Sequence, residues 1–302
     1  RLARQARLAQ FGKRALGDMR IGELIARHIT TRQPKIIVHT FEGHGWERIV
    51  NVVAHQMSPP AVTFGYQHAV FFPGERSINY MHDGGADPDV VMTIGPVTKE
   101  RFLRSAQHSK KNIIVLGSIK SSSGEERPLS SLQGTCLLVP EGIMEEVELM
   151  AKMGIKAAKL IPDRQFVLRL HPVIKRSSVN KRLGELPANF CLSNDKLEND
   201  LKAASFFCYR GSSVVLSGIL AGLRPIYLDP DDSFLANDPL AADLPFRKVA
   251  KSAEVIVDII KSSVSSDIEL KNYKQAVKYI KGYAAPYNSA EFIGIVKEFV
   301  SV

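Results

Sequence analysis

Short apolar runs recur along this chain, each followed by a turn and a stretch with helical spacing, and that alternation limits the possible folds more than any other feature. The runs are KIIVH at 35–39, AVTFGYQ at 61–67, VVMTI at 90–94 and NIIVLG at 112–117. CLLVP at 136–140, FVLRL at 166–170, NFCLS at 189–193, SFFCYR at 205–210 and PIYLD at 225–229 follow. Runs that are apolar throughout, rather than at every second residue, belong to strands covered on both faces, which means a parallel sheet with crossover helices. The expectation is an α/β chain of two doubly wound parallel-sheet domains facing a central cleft.

The helices expected between the strands lie around Trp46–His55, Val97–Ala106, Met144–Leu160, Leu197–Ala204 and Val214–Leu223. Helices over Glu254–Lys261, Lys271–Ile280 and Ser289–Val302 close the chain. Residues 121–134, SSSGEERPLSSLQG, are rich in Ser, Gly and Glu without periodicity and read as a linker. The organisation expected is therefore a first domain over 1–120, a linker over 121–135, a second domain over 136–285 and a terminal helix over 286–302. Because the first strand comes only at Lys35, the first domain is expected to lack a usual opening strand, as in a piece of a longer protein.

Hydrophobic residues make up 45% of the 302 residues and charged ones 24%, the balance of a folded globular protein. Cys136, Cys191 and Cys208 show no C-x-x-C spacing and sit in or beside apolar runs, which suggests neither a disulfide framework nor a zinc site. No apolar stretch has the length of a membrane span, and no signal core opens the chain, so a cytoplasmic location is expected. The net charge of +9 is concentrated early: residues 1–120 hold 17 Lys/Arg against 9 Asp/Glu. No nucleic-acid recognition module accompanies it. In residues 1–20, Leu2, Leu8, Phe11 and Leu16 form a narrow stripe beside Arg1, Arg4, Arg7, Lys13, Arg14 and Arg20. That pattern fits a plain surface helix, or one lying on anionic lipid at the inner face of the inner membrane.

Doubly wound sheets bind ligands beyond the carboxyl ends of their strands, so the residues just after each run carry the chemistry. FVLRLHPVIKR delivers Arg169, His171, Lys175 and Arg176, with Pro172 ending the strand and directing His171. Cations and an imidazole there suit a phosphate, and an imidazole can donate a proton near neutral pH. SFFCYRGSS turns through Arg210 and Gly211 into a helix whose serines, Ser212 and Ser213, are expected to cap it and present an anion site.

In the first half, IIVHTFEGHGWE places Glu42 on a glycine-flanked loop followed by His44. Glu42 is the first choice for a base acting on an acceptor hydroxyl, or for a nucleophile, with Glu47, Asp83 and Asp87 as alternatives. GYQHAVFFPGER adds Gln67, His68 and Arg76 for acceptor contacts. His39, His44, His68 and His82 form no H-E-x-x-H or i, i+4 pair, so no essential metal is expected.

The order Glu42-Gly43, then His171-Pro172, then Ser212-Ser213 resembles bacterial sialyltransferases and polysialyltransferases of the GT-B fold, and the capsule and lipopolysaccharide Kdo transferases. Pro140-Glu141-Gly142 is an alternative match to the first motif, which has a second acidic residue where Phe41 and Pro140 stand here. The resemblance spans residues 35–230 and implies a CMP-activated acidic sugar as donor, with no other cofactor. It implies further that Glu42 is the base, that His171 assists departure of the CMP phosphate, and that the serine pair binds it. Arg169, Pro172, Lys175, Arg210, Gly211, Glu141 and Gly142 would complete the donor site. A hydroxyl of a surface glycan or glycolipid would be the acceptor. The His-Pro and Ser-Ser pairs also resemble CDP-glycerol and CDP-ribitol phosphotransferases, and a nonenzymatic nucleotide- or glycan-binding module is a third possibility.

Overall fold

The computed structural model describes residues 12–70, 78, 85–104, 112–118, 126–230, 238–240 and 244–300. These form two compact units, and the chain divides between them near residue 121 and again at Lys281–Gly282. The helix 289–300 thus belongs to the first unit rather than standing apart.

The first unit opens with helix α1 (Lys13–Arg32) and strand β1 (Ile36–Thr40), then α2 (Gly45–His55) and β2 (Val62–Gln67). β3 (Val90–Thr93), α3 (Pro96–Arg104) and β4 (Asn112–Val115) follow, and α10 (Ser289–Val300) completes it. The strands pair in parallel in the order β1-β2-β3-β4, with Thr40 opposite Tyr66 and Gln67 opposite Thr93. One face of this sheet packs Phe64, Val90, Met92 and Leu116 under Phe292, Ile295, Val296 and Phe299 of α10. Phe64 meets Phe292 and Phe299 edge-on, with ring centroids 6.3 and 5.6 Å apart. Phe41, Ile78, Val91, Phe102 and Ile113 form a second cluster.

The second unit contains β5 (Thr135–Val139), α4 (Met144–Leu160), β6 (Phe166–Leu168), α5 (Arg176–Leu183), β7 (Phe190–Leu192) and α6 (Leu197–Ala203). It continues through β8 (Ala204–Tyr209), α7 (Val214–Leu220), β9 (Arg224–Leu228), β10 (Lys248–Ala250), α8 (Ala253–Ser262) and α9 (Asp267–Lys281). Its six parallel strands run in the order β10-β9-β8-β5-β6-β7, the doubly wound order of a dinucleotide-binding domain. β8 and β9 are buried at every residue, as their unbroken apolar sequence requires. Helix α4 buries Val147, Met150, Ala151, Gly154, Ala157 and Ala158 at helical spacing against this sheet.

Two short elements were not expected from the sequence. α5 buries only Val179, so its apolar pattern is too sparse to read, and β10 is three residues held by its pairing to β9. The helix after β8 is shorter than expected, ending at Leu220 with Gly222 just beyond in the left-handed region (φ +86°).

Phe64 has no exposed surface. Phe64→Ala should therefore cost about 3–5 kcal/mol, measured as a lower denaturation midpoint.

Candidate functional site

The carboxyl edge of the first sheet is built by one buried carboxylate. After β1 the Phe41 N–H still donates to the Tyr66 carbonyl, and the chain then turns at Gly43, whose φ of +80° favours glycine. Glu47, fully buried in the first turn of α2, accepts from Thr40 Oγ1 at 3.0 Å and from the N–H groups of Glu42 and His44 at 2.9 Å each. Glu47 is therefore consumed in shaping the loop, and Asp87 is ion-paired with Arg48. Of the four acids considered as bases, Asp83 lies outside the described residues, as do Arg76 and His82.

Glu42, 29% exposed at its side chain, lies between two imidazoles. His44 Nε2 is 3.5 Å from Oε2, and His68 Nδ1 is 3.2 Å from Oε1. Oε1 is buried, and His68 sits off the line of a directed hydrogen bond, so this oxygen keeps an unused acceptor position. Gln67 at the end of β2 donates its amide to the Ala69 carbonyl, and its own buried Oε1 also has no donor among the described residues. Buried acceptors rarely go without a donor, and these two have none among the described residues. The structure thus gathers Glu42, His44, Gln67 and His68 at the ends of β1 and β2.

In the second unit β5 and β8 lie side by side while their onward connections run in opposite directions. The three loops around this switch point are in contact because two of their residues are glycines. A Cβ on Gly142 would lie 2.7 Å from Val173 Cγ2 and 3.2 Å from His171 Nδ1. One on Gly211 would overlap Glu141 Oε1 and lie 2.5 Å from its Cδ. Burial pushes the half-buried Glu141 carboxyl above its ordinary range, and the charges of His171 and Arg210 oppose that rise. Glu146, in the first turn of α4, accepts from the Glu141 N–H at 3.0 Å and is also pushed up by burial. Arg210 and Ser212 are buried, whereas His171, Pro172, Lys175 and Ser213 are exposed. The Val173 N–H donates to His171 Nδ1 at 3.3 Å, which leaves the proton of a neutral ring on Nε2 as the outward donor.

Arg169, expected at the donor phosphate, donates to the Asp195 carbonyl at 2.8 Å and to Asp200 Oδ2 at 2.6 Å. Ser213 stands at the N-cap of α7, but its helical backbone (φ −64°, ψ −14°) keeps its hydroxyl from capping, which an extended residue would allow. The first turn is held by backbone bonds from Val215 to Ser212 and from Leu216 to Ser213.

Four further residues at this edge were not foreseen. Tyr209, opposite Tyr227 in the register, donates to Asp238 Oδ1 at 3.0 Å. Arg247 Nε binds the same carboxylate, and its guanidinium carbon lies 4.6 Å over the Tyr227 ring. Burial pushes the Tyr227 hydroxyl up to about 12. The available signal was a tyrosine near the carboxyl end of two successive strands, FFCY and PIYL; Asp238 and Arg247 have no such pattern around them.

The sequence matches no family model and no curated protein. The fold has clear counterparts among solved structures. MnaA of S. aureus, solved with UDP, gives a TM-score of 0.62 at 12% identity, covering 94% of this chain and 79% of that one. CalG4, the calicheamicin glycosyltransferase, gives 0.59 at 14% identity, covering 95% and 79%. The UDP-GlcNAc 2-epimerase from Neisseria meningitidis, bound to UDP-GlcNAc, gives 0.52 at 14% identity, covering 94% and 81%. With two all-parallel α/β units and these counterparts, the fold is GT-B.

Glu47→Ala should lower stability by about 1–3 kcal/mol, because it removes the buried acceptor of three donors, whereas Glu42→Ala should leave the melting temperature nearly unchanged. Gly211→Ala should cost roughly 1–3 kcal/mol by displacing the Glu141 carboxylate. Adding Glu141→Ala should return most of that loss, a coupling that thermal melts of the double-mutant cycle would read directly.

Proposed function

We propose that this chain is a glycosyltransferase whose nucleotide-activated sugar binds at the β5–β8 switch point. The convergence of Glu141, His171, Arg210, Gly211 and Ser212 from three strand ends carries this reading. Arg210, Ser212 and Ser213 would hold the phosphate. The Nε2–H of His171 would stabilise charge on the departing phosphate oxygen. Glu42 would take the proton of an acceptor hydroxyl, with His44, Gln67 and His68 around that acceptor.

The motif order Glu42-Gly43, His171-Pro172 and Ser212-Ser213 supports a CMP-linked acidic sugar, Kdo-like or sialic-acid-like, transferred to a bacterial surface glycan. A uridine nucleotide is the second reading, favoured because MnaA was solved with UDP and the N. meningitidis epimerase with UDP-GlcNAc. Leu16, Met19 and Leu24 of α1 are exposed beside Arg20, which supports contact with anionic lipid and hence a lipid-linked acceptor. Among the described residues no helix is long and apolar enough to cross a membrane.

A thermal-shift series with CMP, CDP, UDP, GDP and ADP tests the donor, since a ligand that binds only the folded state raises its melting temperature. CMP should stabilise the protein, and His171→Ala should remove the response without unfolding the chain. Stabilisation by UDP and not CMP would replace the cytidine donor with a uridine one. No response to any nucleotide would overturn the donor site itself.

A further inference from the structure

Glu141 is an acid among the groups that would receive a phosphate. Its carboxylate lies against the bare backbone of Gly211, in space that any side chain at 211 would fill. The charged groups facing it are His171 from the loop after β6, Arg210 from the loop after β8, and Glu146 from α4. The groups assigned to the donor phosphate thus already lie within the electrostatic reach of an internal acid. A phosphate oxygen approaching the same glycine meets like charge.

We infer that Glu141 is a built-in competitor of the donor phosphate, and that phosphate binding at His171 and Arg210 draws a proton onto Glu141. This rests on the switch point being the nucleotide site. Neutralisation of a carboxyl costs least where burial already disfavours its charge, and Glu141 is in that position. The proton comes from solvent and sits on Glu141 while the phosphate is bound; no bond of the nucleotide changes. Glu141 is here a positioning and selecting residue. A direct contact to donor hydroxyls would give the opposite result on substitution.

Isothermal titration of CMP, CDP and UDP near neutral pH, in two buffers with different ionisation heats, separates these roles. Glu141→Gln keeps the shape of the side chain and removes its charge. It should bind whichever nucleotide the wild type binds about tenfold more tightly, the equivalent of one pKa unit of interaction. Its proton uptake on binding should be smaller than that of the wild type. Glu141→Ala should change affinity in the same direction, and melting curves would show that both variants are folded. Equal or weaker binding by Glu141→Gln, or unchanged proton uptake, would overturn the inference while leaving the donor site in place. Binding of none of the three nucleotides by wild type or variant would overturn the donor site and this inference together.

Discussion

The pairing of β5 with β8 is the constraint on which the second unit depends. Leu137, Leu138, Phe207 and Cys208 face one another along these two strands with no exposed surface, so helices must cover both faces. Cys136 and Cys208 touch across the pair, with Sγ atoms 3.6 Å apart; the neighbouring thiol and burial together push Cys208 well up, so it stays a protonated, apolar filler. With the pair fixed, the chain must leave β5 toward β6 and β8 toward β9. The connections then diverge at the carboxyl edge, the place where doubly wound sheets bind ligands. The positions of Glu141, His171 and Arg210 follow from that divergence.

Much of this was legible because burial on both faces leaves a plain mark in sequence. AVTFGYQ, CLLVP, SFFCYR and PIYLD could hardly be anything other than interior strands, and the residues after them became candidates by position alone. Side-chain partnership leaves no such mark. Arg169 ends a strand as His171 does, yet Asp200, 31 residues later, captures it. Glu42 and Glu47 lie five residues apart with the same chemistry. Only the burial of Glu47 under three donors shows which one builds the loop and which one is available. Gly211 read as a turn residue, whereas its lasting role is to admit the carboxylate of Glu141.

The two units differ in kind at their carboxyl edges. In the first, Glu42 Oε1 and Gln67 Oε1 are buried acceptors with no hydrogen-bond donor among the described residues. In the second, the Arg210 guanidinium, the His171 imidazole and the acids Glu141 and Glu146 act on one another electrostatically.

The amino edge of the second sheet shows what the carboxyl edge lacks. There Arg224 opens β9 and is satisfied completely: Nε and Nη2 bind both oxygens of Glu269 at 2.7 and 2.9 Å, and Nη1 donates to the Ser130 carbonyl at 2.9 Å. That pair ties α9 and the segment before β5 to the sheet and asks nothing of solvent or ligand. Glu141 and Glu146 are placed the other way. Their carboxyls are raised in the folded chain, so the stabilising contribution of each is present below its unfolded value and is lost as pH climbs through the folded one. Burial disfavours the charged form of each, and the charge of Arg210 opposes that effect at both. The two acids differ in what holds them: Glu146 accepts the Glu141 N–H at 3.0 Å and so shapes the loop after β5, whereas the Glu141 carboxylate lies in the space left by Gly211.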